Sequence, residues 1–203
     1  MARRGAELRE HILDAAKTVF LESGFERTSM DAVAAEAQTS KRSLYAHFPT
    51  KDVLFLAITE RIRELFAARI GSPEHYADDP TEAVARYCGR FRQLLRWSMV
   101  AQTCRLCISE ASRLPEAAAG LYDAFFGTAI ELLGAYLADR ITLPTAEANA
   151  LAGRLIGATS FPELPRALFA LDDLDEEIPD ESRLAEEVDI PAIRETVRAL
   201  LPG

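Results

Sequence analysis

Long uncharged stretches are missing from this chain of 203 residues. None is longer than about eight residues, whereas a helix that crosses a membrane needs about 20 apolar residues in succession. The opening segment MARRGAELREHILDAA carries arginines but no apolar core of the kind that secretory signals have. We therefore expect a cytoplasmic protein without a membrane partner.

The motifs of enzymes and of cofactor sites are also missing. There is no glycine-rich phosphate loop and no nucleophile elbow. Cys104 and Cys107 would share a helix face, but the histidines lie far off in sequence and a tetrahedral metal site needs about four ligands. With Cys88, the cysteines are three in number and make no disulfide framework. We expect buried thiols, no metal, no cofactor and no catalytic residue.

Carboxylates are absent between Glu36 and Asp52, although the formal net charge of the chain is −9. Residues 1–63 hold ten Lys and Arg against nine Asp and Glu, whereas residues 64–203 hold 13 against 23. The plain explanation of the acidity is solubility. An acidic chain that keeps one segment free of acid is nevertheless expected to present that segment to a polyanion.

Apolar residues recur at helical spacing along the whole chain, which predicts an all-α fold. The pattern predicts helices over about 9–23, 29–37, 40–48, 51–70, 81–98, 101–112, 115–140, 145–161, 166–171 and 191–201. We expect an N-terminal three-helix domain, residues 1–52, and a larger helical domain, residues 53–203. Residues 172–189 hold ten carboxylates and one arginine, which predicts a solvated loop.

Two short helices joined by a tight turn are predicted within TSMDAVAAEAQTSKRSLYAHFPTK, residues 28–51. Small and apolar residues hold the pair together, and a helix-turn-helix places the second helix of such a pair in the major groove of DNA. The candidate DNA-binding residues are the hydroxyl, basic and aromatic side chains of this segment: Thr28, Ser40, Lys41, Arg42, Ser43, Tyr45, His47 and Lys51. An ordinary solvated surface is the alternative for each residue taken alone.

The stretch ILDAAKTVFLESGFERTSMDAVAAEAQTSKRSLYAHFPTKDVLFLAI, residues 12–58, resembles the TetR family of one-component transcriptional regulators. The resemblance covers about a quarter of the chain and includes the ending S-x-x-x-L-Y-x-H-F-x-x-K. It implies an all-helical homodimer that binds double-stranded operator DNA and a small-molecule effector. Many members have glycine where this chain has Gln38, so Gln38 is expected to take a left-handed backbone at about 1 kcal/mol. Residues 105–125 are similar, more loosely, to the AefR-like branch.

The larger domain offers a candidate dimer face and a candidate ligand pocket. Small residues at Ala146, Ala150, Gly153, Gly157 and Ala158 would let a second helix approach closely, and packing within the chain is the alternative. The candidate pocket residues supply apolar bulk: Phe91, Trp97, Met99, Cys104, Phe125, Phe126 and Phe161. Ordinary core is the alternative for each of them.

The leading hypothesis, which the resemblance implies, is a repressor that binds a palindromic operator as a homodimer and leaves it when an effector binds. An enzyme is a second class of function, and no motif supports it. A helical module that uses residues 28–51 to bind a protein is a third, and weak dependence of DNA affinity on salt would favour it.

Overall fold

The computed structural model describes residues 2–161, 163–177, 184 and 188–202, with side chains from Gly5 onward. The described chain is helical, and an isolated bridge between Trp97 and Asp175 is the one strand-like pairing in it. The helices are α1 Ala2–Arg27, α2 Met30–Glu36, α3 Lys41–His47, α4 Lys51–Ile70, α5 Pro80–Leu95, α6 Ser98–Glu110, α7 Pro115–Tyr122, α8 Thr128–Arg140, α9 Thr145–Ser160, α10 Glu163–Leu168 and α11 Ile190–Leu200. This confirms the all-α fold, with an N-terminal helix-turn-helix and a larger helical part after it.

Short polar side chains fix where several helices begin. Ser29 Oγ accepts from Ala32 N at 3.1 Å at the start of α2, and Thr50 Oγ1 accepts from Val53 N at 3.1 Å at the start of α4. Asp79 and Asp189 do the same for α5 and α11, at 2.8 Å and 3.0 Å. Each cap satisfies one of the amides that a helix start leaves without a partner.

Residues 1–63 and 102–121 make up one compact unit, called unit 1 below. Its centre is a cluster of three aromatic rings: Phe20 stacks on Phe25 at 5.5 Å between centroids, and Phe55 meets them edge-on at 5.3 Å and 5.2 Å. All three side chains are about 1% exposed. Because α1 and α4 both contribute to this cluster, they form a rigid support for the short helices α2 and α3.

Residues 64–101 and 122–203 make up the second unit, unit 2. Its core holds Phe66 against Phe125 at 4.6 Å and against Phe91 at 6.1 Å. Helices α8 and α9 approach so closely that a side chain at Gly134 would collide with Asn149. A methyl group at Gly89 of α5 would likewise lie 2.7 Å from Ile190 Cδ1 of α11. Glycine at these two positions therefore permits the helix contacts around which unit 2 is built.

Three features differ from the sequence-based expectations. Helix α1 is longer than 9–23, and its backbone breaks at Gly24, where φ is 76° and ψ is 167°, a region that essentially only glycine enters. The helix expected over 115–140 is interrupted by a π-helical turn, Asp123–Gly127. Arg96 donates to the carbonyl of Asp173 at 2.7 Å and Ser98 N donates to that of Asp175 at 2.8 Å. Residues 172–177 are exposed or half-buried and non-helical, as expected for a solvated loop, but these bonds attach this part of the segment to residues 96–98.

Some of the sequence-based expectations concern residues that the structure does not describe. Residues 178–183 and 185–187 of the acidic segment lie outside the described residues, as do the side chains of Arg3 and Arg4 near the N-terminus. The domain division at residues 52 and 53 stays a prediction. Within the described chain, no helix is both long and apolar enough to span a membrane.

Candidate nucleic-acid interface

Helices α2 and α3 pack through buried apolar side chains. Val33, Ala37, Leu44 and Phe48 are each at most 2% exposed. His11 of α1 bonds through Nε2 to the carbonyl of Ala37 at 3.1 Å, which fixes the C-terminus of α2. Since a backbone carbonyl accepts only, this nitrogen carries the proton. The buried side of the helix pair is thus held to α1, and the opposite side is left for contact with another molecule.

The turn between the two helices has the geometry expected from the sequence. Gln38 has φ of 46°, the left-handed region that glycine enters without strain. Two backbone bonds close the turn: Gln38 N donates to Ala35 O and Thr39 N to Ala34 O, both at 3.0 Å. The prediction that Gln38 adopts this conformation is confirmed. Gln38 is held in this conformation by the turn that joins α2 to α3.

The outer side of α3 carries the basic and aromatic candidates. Lys41, Arg42 and Tyr45 are exposed, and Tyr45 keeps 47% of its surface accessible. Arg42 and Tyr45 make no hydrogen bond or ion pair with any described residue. Both side chains are therefore available to a ligand without first breaking an internal contact.

Lys41 has a partner that sequence reasoning missed. Its Nζ donates to Asp31 Oδ2 of α2 at 2.6 Å, with the two side chains 64% and 61% exposed. A separation of ten residues gives no helical pairing signal, so only the fold brings the two together. A pair this exposed to water is weak, and Lys41 can exchange its partner for a phosphate.

Ser40, Ser43 and His47 lie on the edge of the same surface. Ser40 Oγ accepts from Ser43 N at 3.1 Å and lies 2.9 Å from Ser43 Oγ, so both hydroxyls stay at the start of α3. Ser43 and His47 are half-buried. The His47 ring lies 6.3 Å from that of Phe48, at the last turn of the helix.

Thr28 and Lys51 face inward, away from the role expected for them. Thr28 is 3% exposed, and its hydroxyl donates to the carbonyl of Gly24 at 2.8 Å. Lys51 Nζ donates to the carbonyls of Phe25, Glu26 and Thr28 at 2.9, 3.3 and 3.0 Å. An ammonium group has three donors, so these three bonds use all of them. The structure makes both residues supports of the corner between α1 and α2.

The structure places the candidate pocket residues of the larger domain in different surroundings, and their role in binding a ligand stays a prediction. Phe91 and Phe125 are fully buried in the core of unit 2, and Cys104 belongs to unit 1. Trp97 Nε1 donates to the carbonyl of Glu176 at 3.4 Å, and Met99 is half-buried. Phe126 and Phe161 do share a groove of about 320 Å³, and Phe161 is 71% exposed. The groove is lined by Tyr122, Phe126, Ile130, Gly153, Ile156, Gly157, Ser160, Phe161, Leu164 and Pro165.

The three cysteines are buried and free, as expected. Burial raises the pKa of the Cys88, Cys104 and Cys107 thiols to about 12. They are therefore protonated at neutral pH, when a thiol is a poor nucleophile and a poor metal ligand. Among the described residues, no group of three or more His, Cys, Asp or Glu side chains is arranged to hold a metal ion.

Comparison with known proteins finds similarity to one family in the N-terminal part of the chain. Residues 12–58 match the family model of bacterial regulatory proteins of the tetR family. The HTH-type transcriptional regulator UidR of Escherichia coli K12 is 35% identical over 79 residues, which are 37% of this chain and 40% of UidR. The alignment thus spans less than half of that relative.

Solved structures share the fold over nearly the whole length. A TetR-family regulator from Mesorhizobium loti has a TM-score of 0.79 at 22% identity, over 98% of this chain and 96% of that one. The flavonoid-responsive regulator FrrA has a TM-score of 0.73 at 23% identity, over 96% and 93%. The similarity to the tetR family model therefore lies in residues 12–58, and the similarity to the solved TetR-family structures is one of fold.

Proposed function

We propose that this protein is a DNA-binding repressor that holds a palindromic operator as a homodimer in the cytoplasm and leaves it when a small-molecule effector binds. The observation that carries the proposal is the outer side of α3. There Arg42 and Tyr45 are exposed and unbonded to any described residue, within a segment that contains no carboxylate. Nearby, Lys41 is held by one exposed ion pair.

The dimensions of α3 suit the major groove. Seven residues at about 1.5 Å each make a rod of about 10 Å, and the groove is about 12 Å wide. Arg42 near the N-terminus of α3 could bond to both acceptors of a guanine, the commonest specific contact in such complexes. Tyr45, one turn further on, would reach the sugar-phosphate backbone or a thymine methyl group.

A homodimer is supported by the exposed side of α9. Ala146, Ala150, Gly157 and Ala158 are exposed, and Gly153 is half-buried. A side chain added at Gly157 would meet no atom within 4 Å, so the strip is open at this position. A two-fold axis beside α9 would give the assembly two copies of α3, and the two half-sites of a palindromic operator, about 34 Å apart, require two.

An effector is supported by the family and by the continuity of α4. FrrA is described as flavonoid-responsive, so a neighbour in fold responds to a small organic molecule. Helix α4 begins within the residues of unit 1 and ends within those of unit 2. An effector that binds more tightly to the DNA-free form would shift the population toward it, and α4 offers a covalent path for that shift.

DNA binding is tested by operator selection from genomic fragments, followed by titration of wild type, Arg42→Ala, Tyr45→Ala and Arg63→Ala. Arg63 is the matched control, because it is an exposed arginine paired with Glu60 along α4. Loss of one bidentate base contact is expected to weaken specific binding by about 1–3 kcal/mol, with folding unchanged. Two results would show that α3 is not the helix that recognises the operator. One is a wild type that protects no site in footprinting, and the other is an Arg42→Ala variant that binds the operator as well as Arg63→Ala.

The dimer is tested by sedimentation of Gly157→Glu against Gly120→Glu. Both glycines are exposed on helices and have no atom within 4 Å of an added side chain. We expect wild type and Gly120→Glu to be dimers and Gly157→Glu to dissociate, since an interface core excludes an unpaired charge. A dimeric Gly157→Glu would move the interface elsewhere.

The sign of regulation is tested with a reporter gene behind the selected operator. A repressor lowers reporter output when it is expressed, and an effector restores the output. Higher output on expression would show an activator and overturn this part of the proposal.

A further inference from the structure

Arg113 lies in the link between α6 and α7 and meets three other parts of unit 1. Its guanidinium donates to Asp52 Oδ1 at the start of α4 at 3.0 Å. It also lies 3.7 Å from Glu26 Oε1 and 3.9 Å from Glu110 Oε2. Its Cζ lies 4.1 Å from the centroid of the Phe25 ring. One side chain thus joins the end of α6, the corner after Gly24 and the first turn of α4.

The corner that Arg113 reaches is the same one that Lys51 holds. Phe25 is the ring that both cations approach, with Lys51 Nζ 4.3 Å from its centroid. The corner leads directly into Ser29, the cap of α2. Lys51 fixes the backbone of the corner through carbonyls, whereas Arg113 fixes its side chains through charge and the ring face. The entry of the chain into the helix-turn-helix therefore depends on both.

Arg113 reaches the corner from a second segment whose ends lie among the residues of unit 2, besides α4, which begins with Lys51. Residues 102–121 belong to unit 1, but α6 begins at Ser98 and α7 ends at Tyr122, both among the residues of unit 2. A shift of α6 or α7 would therefore move Arg113 and change its contacts with Glu26 and Asp52. The three carboxylates that meet Arg113 come from separate segments, so the arginine is their common partner.

We propose that Arg113 is a positioning residue for DNA binding, which sets the corner before α2 and the start of α4 from the segment 102–121. The proposal rests on the function proposed above. It makes no claim that Arg113 touches DNA. The guanidinium of Arg113 contacts carboxylates and an aromatic ring. The residues proposed to contact DNA, Lys41, Arg42 and Tyr45, lie on the outer side of α3.

The test is operator affinity of Arg113→Ala, Arg113→Lys and Arg63→Ala, measured from about 0.05 to 0.3 M salt. Arg63→Ala removes the same charge and an exposed ion pair, but that pair lies within one helix. We expect Arg113→Ala to bind about fivefold more weakly, at the lower end of known couplings between sites. Arg113→Lys, which keeps a cation at the ring, should recover part of the loss, and Arg63→Ala should lie within twofold of wild type.

The salt slope separates positioning from direct contact. A lost phosphate contact lowers the slope of log affinity against log salt by about one, whereas a lost positioning residue leaves the slope unchanged. In a background of Glu26→Gln and Asp52→Asn, adding Arg113→Ala should have little further effect. The double variant with Glu26→Gln and Asp52→Asn also provides a test if Arg113→Ala alone fails to fold. If this double variant binds the operator with wild-type affinity, the two carboxylates have no role in positioning, and the proposal fails.

Three results would overturn the proposal. Arg113→Ala could bind the operator with wild-type affinity, Arg63→Ala could lose as much operator affinity as Arg113→Ala, or Arg113→Ala could reduce the slope of log affinity against log salt by one. Each requires that wild type binds the operator and that Arg42→Ala binds it more weakly. If wild type binds no DNA at all, the proposed function fails first, so the two failures are distinguishable.

Discussion

Replacing Lys51 by methionine separates two roles that its position at the start of α4 allows. The sequence suggests a clamp on the DNA backbone, whereas the structure directs all three Nζ donors at the carbonyls of Phe25, Glu26 and Thr28. Methionine keeps the length and most of the volume of the lysine stem. The change therefore removes the charge and the hydrogen bonds and leaves the packing nearly intact.

The size of the effect follows from the contacts. The bonds to Phe25 and Thr28 are partly buried, and each is worth about 1 kcal/mol net. The third bond, to Glu26, is exposed and adds little. The Phe25 carbonyl keeps a second donor, Thr28 N at 3.2 Å, which reduces the loss. The cation over the Phe25 ring contributes about 0.5–1 kcal/mol. We expect Lys51→Met to lower the free energy of unfolding by about 2 kcal/mol.

The other two lysines are matched controls. Lys17 forms a pair with Asp14 at 3.5 Å along α1, so Lys17→Met should change the free energy of unfolding by less than about 0.5 kcal/mol. Lys41→Met should be nearly as mild in folding but should reduce the salt slope of DNA binding by about one. Urea denaturation followed by circular dichroism gives the first quantity, and titration with operator at several salt concentrations gives the second.

The refuting result is a Lys51→Met variant that is as stable as Lys17→Met and loses one unit of salt slope. It would show that Lys51 releases the three carbonyls and contacts phosphate. A destabilised variant with an unchanged slope confirms that the residue supports the corner. Both measurements are needed, because a destabilised corner also lowers DNA affinity.

Two further predictions concern stability. Gln38→Gly should raise the free energy of unfolding by about 0.5–1 kcal/mol in urea denaturation, because relief of the left-handed strain exceeds the extra entropy of the unfolded glycine; a loss of stability would contradict the strain. Glu82 accepts from Arg194 and from Arg86, both at 2.6 Å, and the bond from Arg194 is the main reason why the pKa of Glu82 lies below its ordinary value of 4.5. A lowered pKa stabilises the fold at pH above 4.5 and ceases to do so as pH falls through the folded-state pKa, so Glu82→Gln should lower the melting temperature by more at pH 7 than at pH 3. An equal difference at both pH values would refute the linkage.

The helix-turn-helix could be predicted from the sequence because its signals are local. The caps at Ser29 and Ser40, the turn at Gln38 and the apolar contact between α2 and α3 all lie within 20 residues of one another. The roles of the cations could not be predicted in the same way. Lys51 meets carbonyls 23 to 26 residues away, and Arg113 meets Asp52 across 61 residues. No periodicity in the sequence encodes such distant contacts.

The candidate pocket shows the same limit in another form. Phe91, Phe125 and Phe161 are residues of the same type, yet the first two are fully buried and Phe161 is 71% exposed. Burial of each ring is set by which helices pack against it, and that depends on close approaches such as the one at Gly134. Residue type alone therefore predicts apolar bulk in the larger domain but not its arrangement.

The basic residues of unit 1 divide by how strongly water competes for their partners. Lys41 pairs with Asp31 in an exposed setting, where an ion pair is worth at most about 1 kcal/mol, so a phosphate can displace the carboxylate at little cost. Lys51 is bound by partly buried carbonyls, which would lose their donor if the ammonium turned toward DNA. Two lysines ten residues apart thus take opposite roles, one exchangeable and one fixed, because of their partners and not because of their charge.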